Sequence, residues 1–333
     1  MKRLIVNADD FGLTHGVDCA IVECFRRGIV TSTTLMANGP EFTDAVGWLT
    51  EIACGEPRHD GDLGVGCHVV LADGEPVLPP SEVRSLLAPG TNRFHRSFGQ
   101  LARAALGGRF RREEIRAEAG AQFRKIQAAG ISISHFDAHK HAHIFPSVLE
   151  PLLEAAAECG VSAVRNPFEP VFSMPIPGLL RIPVRYAEVV ALRVFRNRFL
   201  AMVAAHGLRS TDGSLGLVAT GSLNAGNLAA LLDRMQDGTW ELVCHPGYND
   251  AQLLAAGTRL LESREIEMQA VTAETTKQAL ERNHIELASF AVLGVEVGMG
   301  AGPESASRGA VSRSNTVNNL GEHGRPPHRE RTQ

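Results

Sequence analysis

Short apolar runs alternate with helical stretches along most of this chain, and polar residues gather where the runs end. Leu4-Ile5-Val6-Asn7-Ala8 reads as a buried-type strand that enters the acidic turn Asp9-Asp10-Phe11-Gly12. Ile21, Val22 and Phe25 then share one face of a helix over 17–27, stopped by Gly28. The rhythm repeats. Strands are expected at 31–36, 63–70, 161–165, 215–220, 240–247 and 285–290, and helices at 43–54, 112–129, 147–159 and 263–282. Alternation of this kind predicts βα units, an α/β fold and a mostly parallel sheet. In such folds active sites form where the carboxyl ends of the strands meet the following loops. Asp9 and Asp10, His68, the histidines after residue 134 and His245 all fall at such ends, although each could merely cap its strand.

The densest of these clusters is Ser134-His135-Phe136-Asp137-Ala138-His139-Lys140-His141-Ala142-His143-Ile144-Phe145-Pro146. Asp137, His139, His141 and His143 sit at steps of two, and an extended chain sends alternate side chains to one side. Ile131 and Ile133 precede them as a half-buried strand would. The expectation is a strand whose imidazoles converge on one point, the alternative a polar loop with ordinary surface histidines. One carboxylate with two or three imidazoles makes an open site for a divalent ion, which can acidify a bound water and polarise a carbonyl. Adjacent in an extended chain, Asp9 and Asp10 would point apart, so that one holds the metal and the other acts as base. His245, before Pro246-Gly247, is expected on a tight turn, presenting its ring from the opposite rim and able to protonate a leaving nitrogen. The set fits metal-assisted amide hydrolysis. No Gly-x-Ser-x-Gly elbow and no Gly-rich phosphate loop is present, which disfavours nucleophilic-serine and nucleotide chemistry.

Composition narrows the setting. Over 333 residues the chain is 44% hydrophobic and 21% charged, with a net charge of −4, which gives no reason to expect nucleic acid as a partner. No apolar run would span a bilayer and the first residues do not read as a secretory signal. The six cysteines form no CxxC pair, so reduced thiols in a cytoplasm are expected. Cys67 and Cys244 precede His68 and His245, and on a strand they would face away from any metal. Residues 300–333 read as a disordered tail. Residues 171–209 stand outside the βα rhythm. They hold an expected helix over 186–206 that carries Arg193, Arg196 and Arg198, follows Arg185 and has Glu188 as its only acid. Such a helix can lie on an anionic membrane, cover a lipid, or pack on the core with a solvated basic edge.

Five segments, Asn7-Ala8-Asp9-Asp10-Phe11-Gly12, residues 28–34, Gly66-Cys67-His68, residues 135–143 and Cys244-His245-Pro246, together resemble the YdjC-like carbohydrate deacetylases, which include chitooligosaccharide deacetylase. The resemblance runs in order through residues 1–292. It implies a distorted (β/α) barrel over 1–299, one divalent metal ion, and removal of the acetyl group from an N-acetylhexosamine. The family's metal triad maps onto Asp10, His68 and His139, its catalytic pair onto Asp9 and His245. Asp137, His141, His143 and Arg165 are candidates for contacts to the substrate or for support of the ligands. Within the family the chain is similar to the hopanoid-biosynthesis-associated branch. The signs are residues 171–209, Thr211-Asp212-Gly213-Ser214-Leu215-Gly216-Leu217 with Thr220-Gly221, and Cys244-His245-Pro246-Gly247-Tyr248. That branch implies an N-acetylglucosaminyl group on a hopanoid lipid and contact of 185–209 with the inner membrane face, and relatives in the family suggest a homodimer. Soluble chitooligosaccharides, a phosphoester substrate, or a non-catalytic lipid-binding role are the alternatives. Two imidazoles and a carboxylate suit Zn²⁺, Co²⁺ or Ni²⁺ better than Mg²⁺, whereas the resemblance implies magnesium. Ala138 departs from the serine common in relatives, removing one hydroxyl beside the cluster.

Overall fold

The computed structural model describes residues 1–55, 61–173 and 191–295, which fall within one compact unit, Met1–Val297. Among the described residues seven strands form a single sheet: β1 (Lys2–Phe11), β2 (Ser32–Leu35), β3 (Gly64–Val69), β4 (His135–Ala138), β5 (Gly213–Leu215), β6 (Gly238–Cys244) and β7 (Ile285–Ala288). Every pairing is parallel, in the order β4-β3-β2-β1-β6-β5. β1 forks along one edge. Its first half, Lys2 to Ile5, pairs with β7, and its second half, Asn7 to Phe11, pairs with β2. Bridges between Phe136 and Val164 and between Ala163 and Arg209 carry the curl onward from β4. The parallel strands thus form a half-barrel, consistent with a distorted (β/α) barrel.

Period-two alternation sorts side chains between two cores. Leu4, Val6, Ala8, Cys67, Val69, Phe136, Leu242 and Cys244 pack outward into the main core beneath the helices. The intervening positions face into the curl and form layers. Ile5, Ala163 and Phe290 make a separate apolar floor. Asn7 and His135 lie above it, joined at 3.2 Å, and His135 stacks flat on Phe290 with ring centroids 3.6 Å apart. Gly66 is glycine because a Cβ there would come within 2.5 Å of the His135 ring. Asp9, His68, Asp137 and Arg165 occupy the top layer, all at most 2% exposed. β1 is buried on both faces, which accounts for its continuous apolar run.

Helices follow strands as anticipated for α1 (His15–Arg27) after β1, α2 (Phe42–Cys54) after β2, α4 (Arg112–Ala128) after β3 and α5 (Pro146–Glu158) after β4, while α3 (Phe98–Leu106), between β3 and α4, was not expected. Thr14 caps α1 by accepting from the Val17 amide at 3.2 Å. Four expectations change. The strand at 161–165 reduces to the bridges at Ala163 and Val164. The strand at 215–220 is β5 instead, ended by the left-handed turn at Gly216 (φ 88°). The strand at 240–247 ends at Cys244, so no tight turn holds His245. The helix over 263–282 breaks at Ala273 (ψ 139°) into two, Glu262–Thr272 and Glu274–Arg282. Short helices α6 (Arg196–Ala205), α7 (Ala225–Leu232) and α8 (Ala251–Ala255) precede that pair, here α9 and α10.

Much of the expected basic helix and all of the tail at 300–333 lie outside the described residues. The part of the former that is described packs inward through Phe199 and Val203, and Phe199 meets Phe168 edge-on. Arg193 donates to the Glu169 carbonyl. The exposed side chains over 194–205 are Val194, Asn197, Arg198, Ala201, Ala204 and Ala205, so this face carries one cation. No helix among the described residues is long and apolar enough to cross a membrane.

The turn after β1 is braced from α1 by Asp18, whose Oδ1 accepts from the Gly12 amide at 2.6 Å. Burial pushes the Asp18 carboxyl from 3.8 up to about 8, against the pull of that amide. The folded chain therefore holds this proton more tightly than the unfolded chain, so the contribution is full below about pH 4 and is lost as pH rises towards 8. Asp18→Asn is expected to flatten the fall in stability between about pH 5 and 8, measured as urea-unfolding free energies at both ends of that range.

Candidate metal centre

The end of β1 brings two adjacent carboxylates to one rim. The pairing of β1 with β2 slips between Ala8 and Phe11, and Asp10 takes a left-handed conformation (φ 70°) that aspartate tolerates better than most residues. Asp9 and Asp10 do not diverge as an extended chain would require. Asp10 Oδ1 lies 3.4 Å from His68 Nε2 and 3.4 Å from His139 Nδ1, and those nitrogens are 3.1 Å apart. Two metal–ligand bonds of about 2.0–2.1 Å meeting near the tetrahedral angle span about 3.3–3.4 Å. The triangle therefore fits a small divalent cation, with three protein ligands on one side of it. Nδ1 of His68 is 2.7 Å from Asp137 Oδ1 and 3.3 Å from the Thr34 hydroxyl. Donation of the Nδ1 proton to Asp137 aims the Nε2 lone pair at the triangle, the support that metal-binding histidines ordinarily have. Burial pulls the His68 pKa down, but Asp137, Asp9 and Asp10 together push it up to about 9. The pocket is thus built to hold positive charge.

Beneath the triangle, Arg165 is fully buried among three carboxylates. It grips Asp9 with both terminal nitrogens, at 2.7 and 2.6 Å, reaches Glu241 through Nε at 2.7 Å, and contacts Asp137 through Nη1. Burial raises the Asp9 carboxyl, yet the charge and hydrogen bonds of Arg165 outweigh it and hold the group well below the usual carboxylate range. Asn7 adds a donor to Asp9 at 2.9 Å. Glu241, deeper and more weakly served, is pushed by burial to about 7.

The far rim carries His245, whose Nε2 is 3.8 Å from Asp9 Oδ2. Its backbone amide donates to Glu267 at 2.6 Å, and its Nδ1 is 3.5 Å from the same oxygen. Arg264, three residues earlier on α9, donates to Asp10 Oδ2 at 2.6 Å. Burial alone would raise the Asp10 carboxyl, but Arg264, with His139 and His68, holds it well below its ordinary value.

The profile of the YdjC-like protein family matches residues 3–282. The chain belongs to the YdjC-like family. It is 32% identical over 293 residues to a carbohydrate deacetylase of Brevibacillus brevis, covering 88% of this chain and all of that one. A mouse protein named carbohydrate deacetylase is 33% identical over 255 residues, 74% of this chain and 78% of its own. A crystal structure from Enterococcus faecalis V583 superposes with a TM-score of 0.70 at 24% identity, covering 88% of this chain and 98% of that chain, a likeness of fold.

In this YdjC-like chain the structure brings together Asp9, Asp10, His68, Asp137, His139, Arg165 and His245. It alters the expected geometry of the histidine stretch. Extension stops at Ala138, and Lys140 (φ 54°) and His141 (φ 53°) are left-handed, so the steps of two end with His139. Lys140 anchors the turn by donating to Asp73 Oδ2 at 2.7 Å and to the Arg96 carbonyl at 2.5 Å. His141 stays near the site, and burial, helped by Arg165, lowers it to about 3, so it is neutral at any working pH. His143 is wholly buried beside Phe199 and lies behind the site. Three charged residues escaped the sequence reading. Glu241 had a signal, a lone acid inside the apolar run Trp240 to Cys244. Arg264 and Glu267 looked like the polar face of an ordinary helix.

Removing the cation at the centre of this network strands three buried carboxylates. Arg165→Met is expected to lower the unfolding free energy by about 3–5 kcal/mol, read from urea denaturation at neutral pH.

Proposed function

We propose that this protein is a metal-dependent hydrolase that removes the acetyl group from an N-acetylated sugar. The observation that carries the reading is the triangle of Asp10, His68 and His139 set beside an ionised Asp9 and an opposed His245. Relatives named as carbohydrate deacetylases that align with most of the chain support it. A divalent cation held by the three ligands would acidify a water and polarise the acetamide carbonyl. The remaining work falls to the chain's own side chains. Asp9 accepts the proton of the attacking water. Arg165 fixes the orientation of that carboxylate, whose oxygens keep lone pairs on the side away from the guanidinium. His245 donates a proton to the departing nitrogen from across the site, yielding acetate and a free amine.

The finer substrate we propose is an N-acetylglucosaminyl group on a hopanoid lipid, on the strength of the branch resemblance in residues 171–209 and 211–221. The reaction would then run at the cytoplasmic membrane face. Donor chemistry favours Zn²⁺ or a similar ion over Mg²⁺.

Protein stripped by a chelator should lose acetate release and regain it when the ion returns. His139→Ala should lower kcat/KM by more than about 100-fold, beyond what loss of a supporting partner costs. Phosphate release in place of acetate would overturn the reaction class. Faster turnover of soluble chitooligosaccharides than of a lipid-linked N-acetylglucosamine would overturn the finer substrate alone.

A further inference from the structure

Helix α9 (Glu262–Thr272) supplies none of the groups assigned above, yet two of its side chains are buried, charged and aimed at the site. Arg264 and Glu267 are each 1% exposed, and their spacing of three puts them on one face of the helix. The Arg264 Nη2 atom holds Asp10 Oδ2 at 2.6 Å, and its Nε donates to the Leu260 carbonyl at 3.2 Å, fixing the fork. Glu267 receives the Gly221 amide on one oxygen at 2.9 Å and the His245 amide on the other at 2.6 Å. That second oxygen also faces His245 Nδ1 at 3.5 Å. Burial pushes the Glu267 carboxyl up, but its bonds to His245 and Gly221 hold it below the ordinary value, so it stays ionised. Gly247 belongs to the same arrangement. A Cβ there would lie 2.8 Å from Arg264 Cδ and 3.1 Å from Val17 Cγ2, so the glycine after His245-Pro246 clears the path of Arg264.

We infer that Arg264 and Glu267 are a pair of positioning residues, through which one turn of α9 sets both halves of the reaction centre. Arg264 engages Asp10 Oδ2 so that Oδ1 alone is presented towards His68 and His139. Glu267 holds the His245 backbone amide and sets its carboxylate 3.5 Å from the ring Nδ1, so that Nε2 looks towards Asp9 and the substrate. The inference rests on the deacetylase reading, and its two arms act on different quantities. Arg264 governs how tightly a cation is held, whereas Glu267 governs proton delivery after the substrate is bound. A helix that merely stabilised the fold would move both together.

The test uses the full-length protein, chelator-stripped and titrated with Zn²⁺ by calorimetry, alongside thermal melts and acetate release. Arg264→Met should weaken zinc binding about tenfold or more, the scale for losing a partner of a ligand. Arg264→Lys, which keeps the charge but not the fork, should fall between Arg264→Met and the unaltered protein, and it carries the readout should Arg264→Met fail to fold. Glu267→Gln should leave zinc affinity within about twofold and lower kcat about tenfold or more with KM unchanged. Zinc affinity in the folded Arg264 variants equal to that of the unaltered protein would overturn the inference. So would a Glu267→Gln protein that loses zinc affinity, activity and melting temperature together. If the unaltered protein binds no zinc, or binds it equally well after His139→Ala, the deacetylase reading itself fails.

Discussion

Arg165 is the charge around which the interior is arranged. A guanidinium removed from water is costly, and it is retained only where partners satisfy its fork. Here it meets Asp9, Asp137 and Glu241, each from a different strand. The arginine thereby ties β1, β4 and β6 together at one depth and leaves an excess of negative charge just above itself. That excess, with Asp10, drives His68 up to about 9 against the pull of burial. The same carboxylates that offset Arg165 from below make the rim attractive to a divalent ion from above.

Backbone shape does the complementary work. Two acids in sequence cannot both face one side of a regular strand. The slip in pairing after Ala8 and the left-handed Asp10 resolve this, giving one carboxylate to the arginine and the other to the two imidazoles. On β4 the reverse holds. Regular extension delivers His135 and Asp137 inward, and the turn at Lys140 then halts the series so that His139 alone of the later three joins the triangle.

Sequence reading located the polar cluster where side chains ride on strand geometry. The habit of α/β folds to place polar groups at carboxyl ends pointed to Asp9, Asp10, His68, the histidines after residue 134 and His245, and the structure brings Asp9, Asp10, His68, His139 and His245 to one rim; the choice of His139 within the series came from the family resemblance. It failed where geometry is irregular. Nothing in His139-Lys140-His141 announces two left-handed residues, because neither is glycine or asparagine. It also failed where a side chain arrives from far along the chain. Arg264 is 254 residues from Asp10, and its helix shows the charge pattern of a solvated one. Burial, not residue type, makes Arg264 and Glu267 important, and burial is a property of the assembled fold.

The fork in β1 has a consequence for traffic. Because β7 claims the lower half of that strand, Phe290 follows directly beneath the polar interior and, with Ile5 and Ala163, stoppers the curl from below. Among the described residues the polar interior is closed on that side, while His139 and His245 at the rim keep side-chain exposures of 20% and 12%. On the proposed chemistry, the acetylated sugar would arrive, and acetate and the free amine would leave, through that shared rim.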